Sequence, residues 1–159
     1  MDEGFGDAWR APTVDQTYGD CIAPALREAS AGQFGSIFLD AMCTATAAGS
    51  CTYTIEVTNS MCNLMGNLHG GASMTIVDIF SSLALRTLDE RISVSVSMAH
   101  QFSSPAMVGE TIEIVSIVEK RGRQLAFTRV DIYNMSRGPR RKLVMQGLHT
   151  KCYISPAKL

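Results

Sequence analysis

Neither positive nor negative charge predominates in this chain, which has 14 basic and 15 acidic residues and a formal net charge of −1. Proteins whose main role is to bind nucleic acid usually need a strongly basic face, so we predict no nucleic-acid partner. Long hydrophobic runs are missing as well. The most apolar stretch, residues 72–88, is interrupted by Asp78 and Arg86, and we therefore predict no membrane span.

The five cysteines form no recognisable framework for disulfides or for metal binding. Their number is odd, no CxxC occurs, and none stands at metal-ligand spacing to the three histidines. We predict no metal site and expect reduced thiols, which indicate an intracellular compartment. The first residues are acidic and contain no apolar core of a secretory signal. We expect a cytoplasmic protein, or a mitochondrial one if the organism is eukaryotic.

A length of 159 residues, with 46% apolar and 18% charged residues, is typical of one globular domain with a hydrophobic core. The apolar share is slightly high, which indicates either a well-filled core or an oligomer interface. Residues 1–34 show no apolar period, and we interpret them as an N-terminal arm with a possible short helix at 24–29. Residues 35–159 form the predicted domain.

The hydrophobic pattern of the domain predicts an α+β fold. Alternating and β-branched segments predict strands at residues 37–46, 52–58, 92–98, 111–120, 125–133 and 143–153. The segment from Gly70 to about Leu88 is predicted to be one long helix. Its apolar side chains are distributed around almost the whole circumference of the helix, so we expect other parts of the protein to enclose it on most sides. An antiparallel sheet wrapped around one central helix satisfies both patterns.

Asp78 is the most informative residue, because it interrupts the apolar helix at its centre. A lone carboxylate there is costly unless it has a partner or is reached by solvent. We interpret it as functional, with a structural bond to a neighbouring strand as the alternative. Burial would raise the pKa of this carboxyl, which suits a general base near neutral pH.

Gly70 and Gly71 open the same helix. Free amide groups at a helix start favour negative charge, and glycine allows close approach, as an oxyanion hole requires. The alternative is an ordinary turn into the helix. Asp78 lies eight residues after Gly70, or roughly 12 Å along the axis. One helix therefore cannot supply both groups to one carbonyl, whereas two antiparallel helices from two subunits can.

Other polar residues are candidates of lower specificity. Asn63 can orient a water or the substrate carbonyl, and His69 and Ser95 can support the site, although each also fits an ordinary structural role. Arg121 and Arg123 lie at a predicted hairpin turn. We predict that they contact the phosphates of a nucleotide-bearing thioester, with solvated turn charges as the alternative. Further basic residues at the turns are Lys120, Arg137, Arg140, Arg141 and Lys142.

The segment from Asn63 to Gly71, followed by Asp78, reads N-x-x-G-x-x-H-G-G…D and closely resembles the hotdog-fold thioesterases. It is most similar to the acyl-CoA thioesterase 13 group, also called thioesterase superfamily member 2, and to the thioesterases of phenylacetate pathways. The resemblance continues through later segments and covers roughly residues 35–153. These segments are 94–96, 104–106, 109–110, 125–128 and 146–151.

The resemblance implies a hotdog fold, a homotetramer of two dimers, and no metal or cofactor, with CoA as part of the substrate. It implies Asp78 as general base or nucleophile and Asn63 as the residue that holds the water or thioester. Gly70 would supply the oxyanion amide, and His69 and Ser95 would support the site. Ser97 stands where relatives often have an acidic residue, and residues 1–34 match poorly.

From these residues we predict an enzyme that hydrolyses acyl-CoA to a free acid and CoA. One alternative is a hotdog hydratase or dehydratase acting on the same thioesters, which would use a differently placed pair of histidine and carboxylate. Another is a protein that binds acyl-CoA without turnover. The combination of Asn63, Gly70 and Asp78 argues against this second alternative.

Overall fold

The structure is a computed structural model, and it describes residues 9–22 and 32–154. Within these ranges one long helix, α1 (Gly70–Arg86), lies against six strands. The strands are β1 Met42–Ala47, β2 Ser50–Glu56, β3 Ser93–Phe102, β4 Thr111–Arg121, β5 Leu125–Asn134 and β6 Lys142–Tyr153. They form one antiparallel sheet in the order β1-β2-β4-β5-β6-β3. The predicted fold class is confirmed. No helix in these ranges is long and apolar enough to cross a membrane.

The core lies between α1 and the inner face of the sheet. Strand side chains alternate between the core and the outer face, as in β2, where Tyr53 is fully buried and its neighbours are not. Phe80 of α1 meets Tyr53 edge to face, with the ring centroids 4.8 Å apart. Ile76 and Leu83, one turn on either side of Phe80, are also buried. The helix is thus anchored by a row of large apolar side chains.

One face of α1 stays open within the described chain. Met74 is 39% exposed and the Asp78 side chain is 47% exposed. Residues four apart lie on the same face of a helix, so the two side chains share one surface. The helix is covered on most sides, as predicted, but the face that carries Asp78 is not buried by its own chain.

Two strand boundaries differ from the sequence prediction by four residues or more, and the others agree within two residues. Residues 37–41 were expected to begin the first strand, but Phe34–Phe38 form a 3₁₀ helix and β1 begins only at Met42. The prediction was wrong because Ile37 and Phe38 are apolar for a different reason: they pack onto the core from a helical turn. In contrast, β3 extends four residues beyond the predicted end at Met98.

The described part of the N-terminal arm packs against the domain. Tyr18 and Cys21 are buried in the core, and the Trp9 ring stacks on Tyr18 with 6.0 Å between centroids. Residues 24–29, where we predicted a short helix, lie outside the described ranges. The division at residue 35 stays a prediction, although residues 9–22 contribute side chains to the same core.

β6 lies unusually close to α1 at Gly147. A Cβ atom added there would stand 2.5 Å from one γ-methyl of Val77 and 2.9 Å from the other. Only glycine permits this separation without displacing the helix or the strand. The contact therefore sets how near the following residues of β6 come to α1.

We expect Gly147→Ala to lower the free energy of unfolding by about 1–3 kcal/mol, because the methyl group overpacks a tight contact. Denaturant unfolding measures this loss. The change should shrink in a Val77→Ala background, where the opposing methyl groups are absent. Gly35→Ala is the control, because its Cβ would meet Ile79 at an ordinary 3.4 Å. Equal stability of Gly147→Ala and wild type would contradict the steric account.

Candidate active site

Asp78 lies on the open face of α1, opposite the first residues of β3. Its Oδ1 accepts a hydrogen bond from the Ser95 hydroxyl at 3.1 Å. Two cationic or potentially cationic groups of β6 approach the same oxygen: Lys151 Nζ at 3.7 Å and His149 Nε2 at 3.8 Å. Asp78 and Ser95, two predicted site residues, are thus brought together by the fold.

The β6 residues beside Asp78 are buried and bonded to the helix. The Lys151 ammonium donates to Ser82 Oγ at 2.8 Å, and the Ser81 hydroxyl is 2.8 Å from His149 Nδ1. Both β6 side chains are almost completely buried. We did not predict Lys151 or His149 as site residues. Gly147, His149 and Lys151 are alternate residues of β6 and therefore lie on one face of the strand. This period of two is the sequence pattern from which their position could have been predicted.

Burial changes the proton affinity of these two groups. Burial, reinforced by the nearby Lys151 charge, lowers the pKa of His149 from 6.5 to about 4. The imidazole is therefore neutral near pH 7. Burial also lowers the pKa of Lys151, and the charge of Asp78 opposes this decrease. A buried ammonium requires a nearby anion, and Asp78 is the carboxylate next to it.

The surroundings of Asp78 therefore differ from those that we expected. We predicted a lone carboxylate buried among apolar side chains. Within the described chain, its carboxyl group is about half exposed and contacts Ser95, Lys151 and His149. The prediction of apolar burial was wrong because the apolar neighbours in sequence, such as Ile76 and Val77, point away from it into the core. Sequence neighbours on a helix do not share a face.

The start of α1 carries the second group of predicted residues. His69 is the N-cap, and its Nδ1 accepts the Gly71 amide at 2.8 Å. A Cβ at Gly71 would stand only 3.0 Å from that nitrogen, which explains the glycine there. Within the described residues, the Gly70 amide has no acceptor. It is the free donor at the positive end of the helix dipole.

Asn63 lies in the loop that leads to this helix start. Its Oδ1 accepts amide hydrogen bonds from Met65 at 2.9 Å and from Asn67 at 3.2 Å, closing a tight turn. A bridge between Cys62 and Leu68 holds the two ends of the loop together. Asn63 therefore belongs to the same end of α1 as Gly70. Its carbonyl oxygen serves the turn, which leaves the amide nitrogen of the side chain as the group that can donate to a ligand.

The predicted residues thus form two separate half-sites in one chain. The first contains Asn63, His69 and Gly70 at the helix start, and the second contains Asp78 and Ser95. Eight residues of helix separate Gly70 from Asp78, or roughly 12 Å. A base and an oxyanion donor that act on one carbonyl must both lie within about 3 Å of the reacting atoms. One chain does not meet this condition.

A cleft of about 390 Å³ adjoins Asp78 and follows the later half of α1. Most of its surface is apolar, and it is bounded by the helix, the start of β3 and the N-terminal arm. The lining includes Trp9, Ile79, Leu83, Ile92, Val94 and Lys151. Apolar clefts next to a few polar groups are typical ligand sites.

Arg121 and Arg123 lie at the turn between β4 and β5, beyond the C-terminal end of α1. Arg121 donates to the Leu88 carbonyl at 2.8 Å and pairs with Asp89 at 3.3 Å. Arg123 is exposed, and its carbonyl accepts a hydrogen bond from Arg91 at 2.8 Å. The two arginines that we predicted to bind substrate thus lie beyond the end of α1 opposite to Gly70. The guanidinium of Arg121 already has partners within the chain.

Comparison with known proteins agrees with this architecture. A family model described as thioesterase superfamily matches residues 65–139. Human acyl-coenzyme A thioesterase 13 is 42% identical over 106 residues, which cover 66% of this chain and 74% of the relative. The crystal structure of zebrafish thioesterase superfamily member 2 is 34% identical with a TM-score of 0.71, covering 76% of this chain and 86% of that one. The mouse member 2 structure is 35% identical with a TM-score of 0.68, covering 80% and 94%.

Within the described residues, one long helix held by a six-stranded antiparallel sheet is the hotdog architecture of these thioesterase structures. The chain belongs to the thioesterase superfamily, where acyl-CoA thioesterase 13 proteins are among its relatives. The resemblance that the motif around Asn63 and Asp78 indicated is confirmed.

We expect the free energy of unfolding to decrease at acidic pH, because the pKa of His149 is lower in the folded than in the unfolded chain. Folding keeps its imidazole neutral, so the unfolded chain binds the proton more tightly. The stabilisation is complete above pH 6.5 and is lost as the pH falls toward 4, by up to about 3 kcal/mol. Denaturant unfolding at constant protein concentration measures this dependence. His149→Gln should flatten it between these pH values, and parallel curves for the two proteins would contradict the assignment.

Proposed function

We propose that the protein hydrolyses acyl-CoA thioesters to a free acid and CoA at sites formed between two copies of the chain. The main support is the separation of the half-sites: Gly70 has a free amide, and Asp78 lies about two turns away on the same helix. Two helices packed antiparallel through their open faces bring each Gly70 to the partner's Asp78. The names of the relatives support the thioester substrate.

The edge of the sheet supports a second copy as the partner. β3 is the last strand of the sheet, and within the described chain its outer edge pairs with no other strand. It carries the exposed apolar side chains Val96, Met98 and Phe102, and Met74 is exposed on the helix. An unprotected apolar edge strand readily pairs with another chain. A dimer that covers β3 and the open face of α1 also removes Asp78 from bulk water.

In this dimer Asp78 is the general base. Its carboxylate takes a proton from a water molecule, and the resulting hydroxide attacks the thioester carbonyl. The negative charge that forms on the carbonyl oxygen is stabilised by the Gly70 amide of the other chain. Collapse of this intermediate breaks the C–S bond, and the leaving CoA thiolate takes up the proton held by Asp78, which regenerates the carboxylate. Ser95 orients the carboxylate, and Asn63 positions the water or the carbonyl.

The Lys151 ammonium lies 3.7 Å from Asp78 Oδ1 and offsets the negative charge of the carboxylate that accepts the proton. His149 is fully buried, so it cannot reach a substrate, and this argues against a hydratase that uses a histidine and carboxylate pair.

Arg121 and Arg123 remain candidates for contact with the CoA phosphates. The tetramer that the resemblance implies would add a second, separate interface. The free thiols support a reducing compartment such as the cytoplasm.

We expect Asp78→Asn to lower kcat by at least ~10²-fold, because the amide cannot accept the proton of the attacking water. Release of free thiol from acyl-CoA measures the rate. Asp40→Asn, which changes an exposed carboxylate outside both half-sites, is the matched control and should retain wild-type kcat. A folded Asp78→Asn protein with unchanged turnover would remove Asp78 from the mechanism.

Gly70→Pro tests the oxyanion amide with little change to the fold. Proline is favoured at the first position of a helix, and the preceding residue, His69, already has the extended backbone that proline requires (φ −65°, ψ 137°). The substitution removes the amide donor, and the added Cβ would meet the Phe102 ring at an ordinary contact distance of 3.5 Å. We expect kcat to fall by ~10²–10³-fold, as for other oxyanion donors.

Mixing the two inactive variants tests whether the site is shared. A dimer of one Asp78→Asn chain and one Gly70→Pro chain contains one intact site and one doubly altered site. When equal amounts of the two variants exchange subunits at random, half of the dimers are mixed and each has one intact site of two. The mixture should therefore show about a quarter of wild-type activity. Each variant mixed with itself is the control. No recovery, despite mixed dimers detected by mass spectrometry, would show that both residues act within one chain.

A further inference from the structure

Trp9 closes the end of the cleft that lies farthest from Asp78. The cleft follows α1 from Asp78 to Arg86, eight residues or roughly 12 Å along the axis. At its far end, Arg86 Nη2 donates to the Trp9 carbonyl at 2.6 Å. The arm thus crosses the last turn of the helix and forms a wall of the cleft.

The wall is held in place by contacts on both sides of Trp9. The indole ring stacks on Tyr18, which is itself buried in the core. A backbone bridge pairs Trp9 with Ile22, and the Arg10 amide donates to the Cys21 carbonyl at 2.7 Å. A large aromatic side chain with these anchors has one orientation, so it limits the space beside it.

A second cavity lies on the other side of the same indole. Its volume is about 120 Å³, against about 390 Å³ for the cleft, and Trp9 lines both. The other lining residues of this smaller cavity are Tyr18, Ile22, Gln33, Gly35, Ser36 and Leu39. Trp9 therefore lies between the two spaces.

The lining of the cleft matches an acyl chain better than CoA. Most of its surface is apolar, and burial of methylene groups there is favourable by about 0.8 kcal/mol each. The arginines at the far end already have partners: Arg91 pairs with Asp89 at 2.6 Å, and Arg86 donates to the Glu90 carbonyl. The charges at that end are thus engaged within the chain rather than directed at phosphates.

We propose that the cleft is the acyl-chain pocket and that Trp9 is a specificity-determining residue that sets the longest chain accepted. The inference rests on the proposed function, because the reacting carbonyl must lie at Asp78 for its acyl chain to enter this cleft. A chain that fills the cleft ends against the indole. A longer chain requires the arm to move or the chain to remain in water, and both reduce kcat/KM.

The test compares kcat/KM for butyryl-, octanoyl- and palmitoyl-CoA, by thiol release, in wild type, Trp9→Ala and Trp9→Phe. Trp9→Ala joins the two cavities, so we expect the palmitoyl-to-octanoyl ratio to rise by at least ~10-fold, the size of effect that a few methylenes in an apolar pocket produce. Trp9→Phe keeps a ring in place and should stay near the wild-type ratio. Butyryl-CoA, which is too short to reach Trp9, should be hydrolysed at similar rates by all three.

Circular dichroism and thermal unfolding check that the variants fold, and Trp9→Leu replaces Trp9→Ala if the latter does not. An unchanged chain-length ratio in a folded, active variant overturns the inference. An equal loss for all three substrates also overturns it, because Trp9 would then act on the arm or on CoA rather than on the acyl chain. Failure of the proposed function is a different result: wild type itself would release no thiol from any of the three substrates.

Discussion

The contact between the buried Lys151 ammonium and the Asp78 carboxylate is the constraint on which the site depends. A cation in that position is costly unless an anion and a hydrogen-bond acceptor accompany it, and Asp78 and Ser82 supply them. The pair forms because β6 approaches α1 closely, and Gly147 permits that approach. The same packing keeps His149 neutral and out of reach of solvent. The carboxylate is thereby held in one orientation by Ser95 and Lys151, while its outer side stays open.

In the proposed mechanism, the open side of Asp78 links catalysis to assembly. The described chain has a free backbone amide at one end of α1 and a carboxylate two turns away, and exposed apolar residues lie on the same helix face and on the edge strand β3. Within the proposed dimer, one surface completes the active site, protects the edge strand and desolvates the base. The apolar residues of this face contribute to the slight surplus of apolar residues in the composition.

Much of the fold was predictable from local patterns. The bounds of α1 and most strands followed from the period of the apolar residues, and the motif from Asn63 to Gly71 indicated the family. The features that were predicted wrongly or not at all have physical causes. Ile37 and Phe38 pack from a 3₁₀ turn instead of a strand, because apolar residues in a short run do not reveal which backbone conformation buries them. Trp9 lies in an arm without any period, and its contacts with Tyr18 and Arg86 have no signature in the local sequence.

The sequence by itself determined most of the secondary-structure elements and the start of α1 at the two glycines. It also determined the distance between Gly70 and Asp78, because a helix rises by a fixed length per residue. The partners of Asp78 were set by the register of the sheet. Ser95 comes from β3, and His149 and Lys151 come from β6; these segments meet only after the sheet has closed around the helix. The contacts and the exposure of the carboxylate depend on those distant neighbours, and hence on tertiary packing rather than on the apolar residues that adjoin it in the chain.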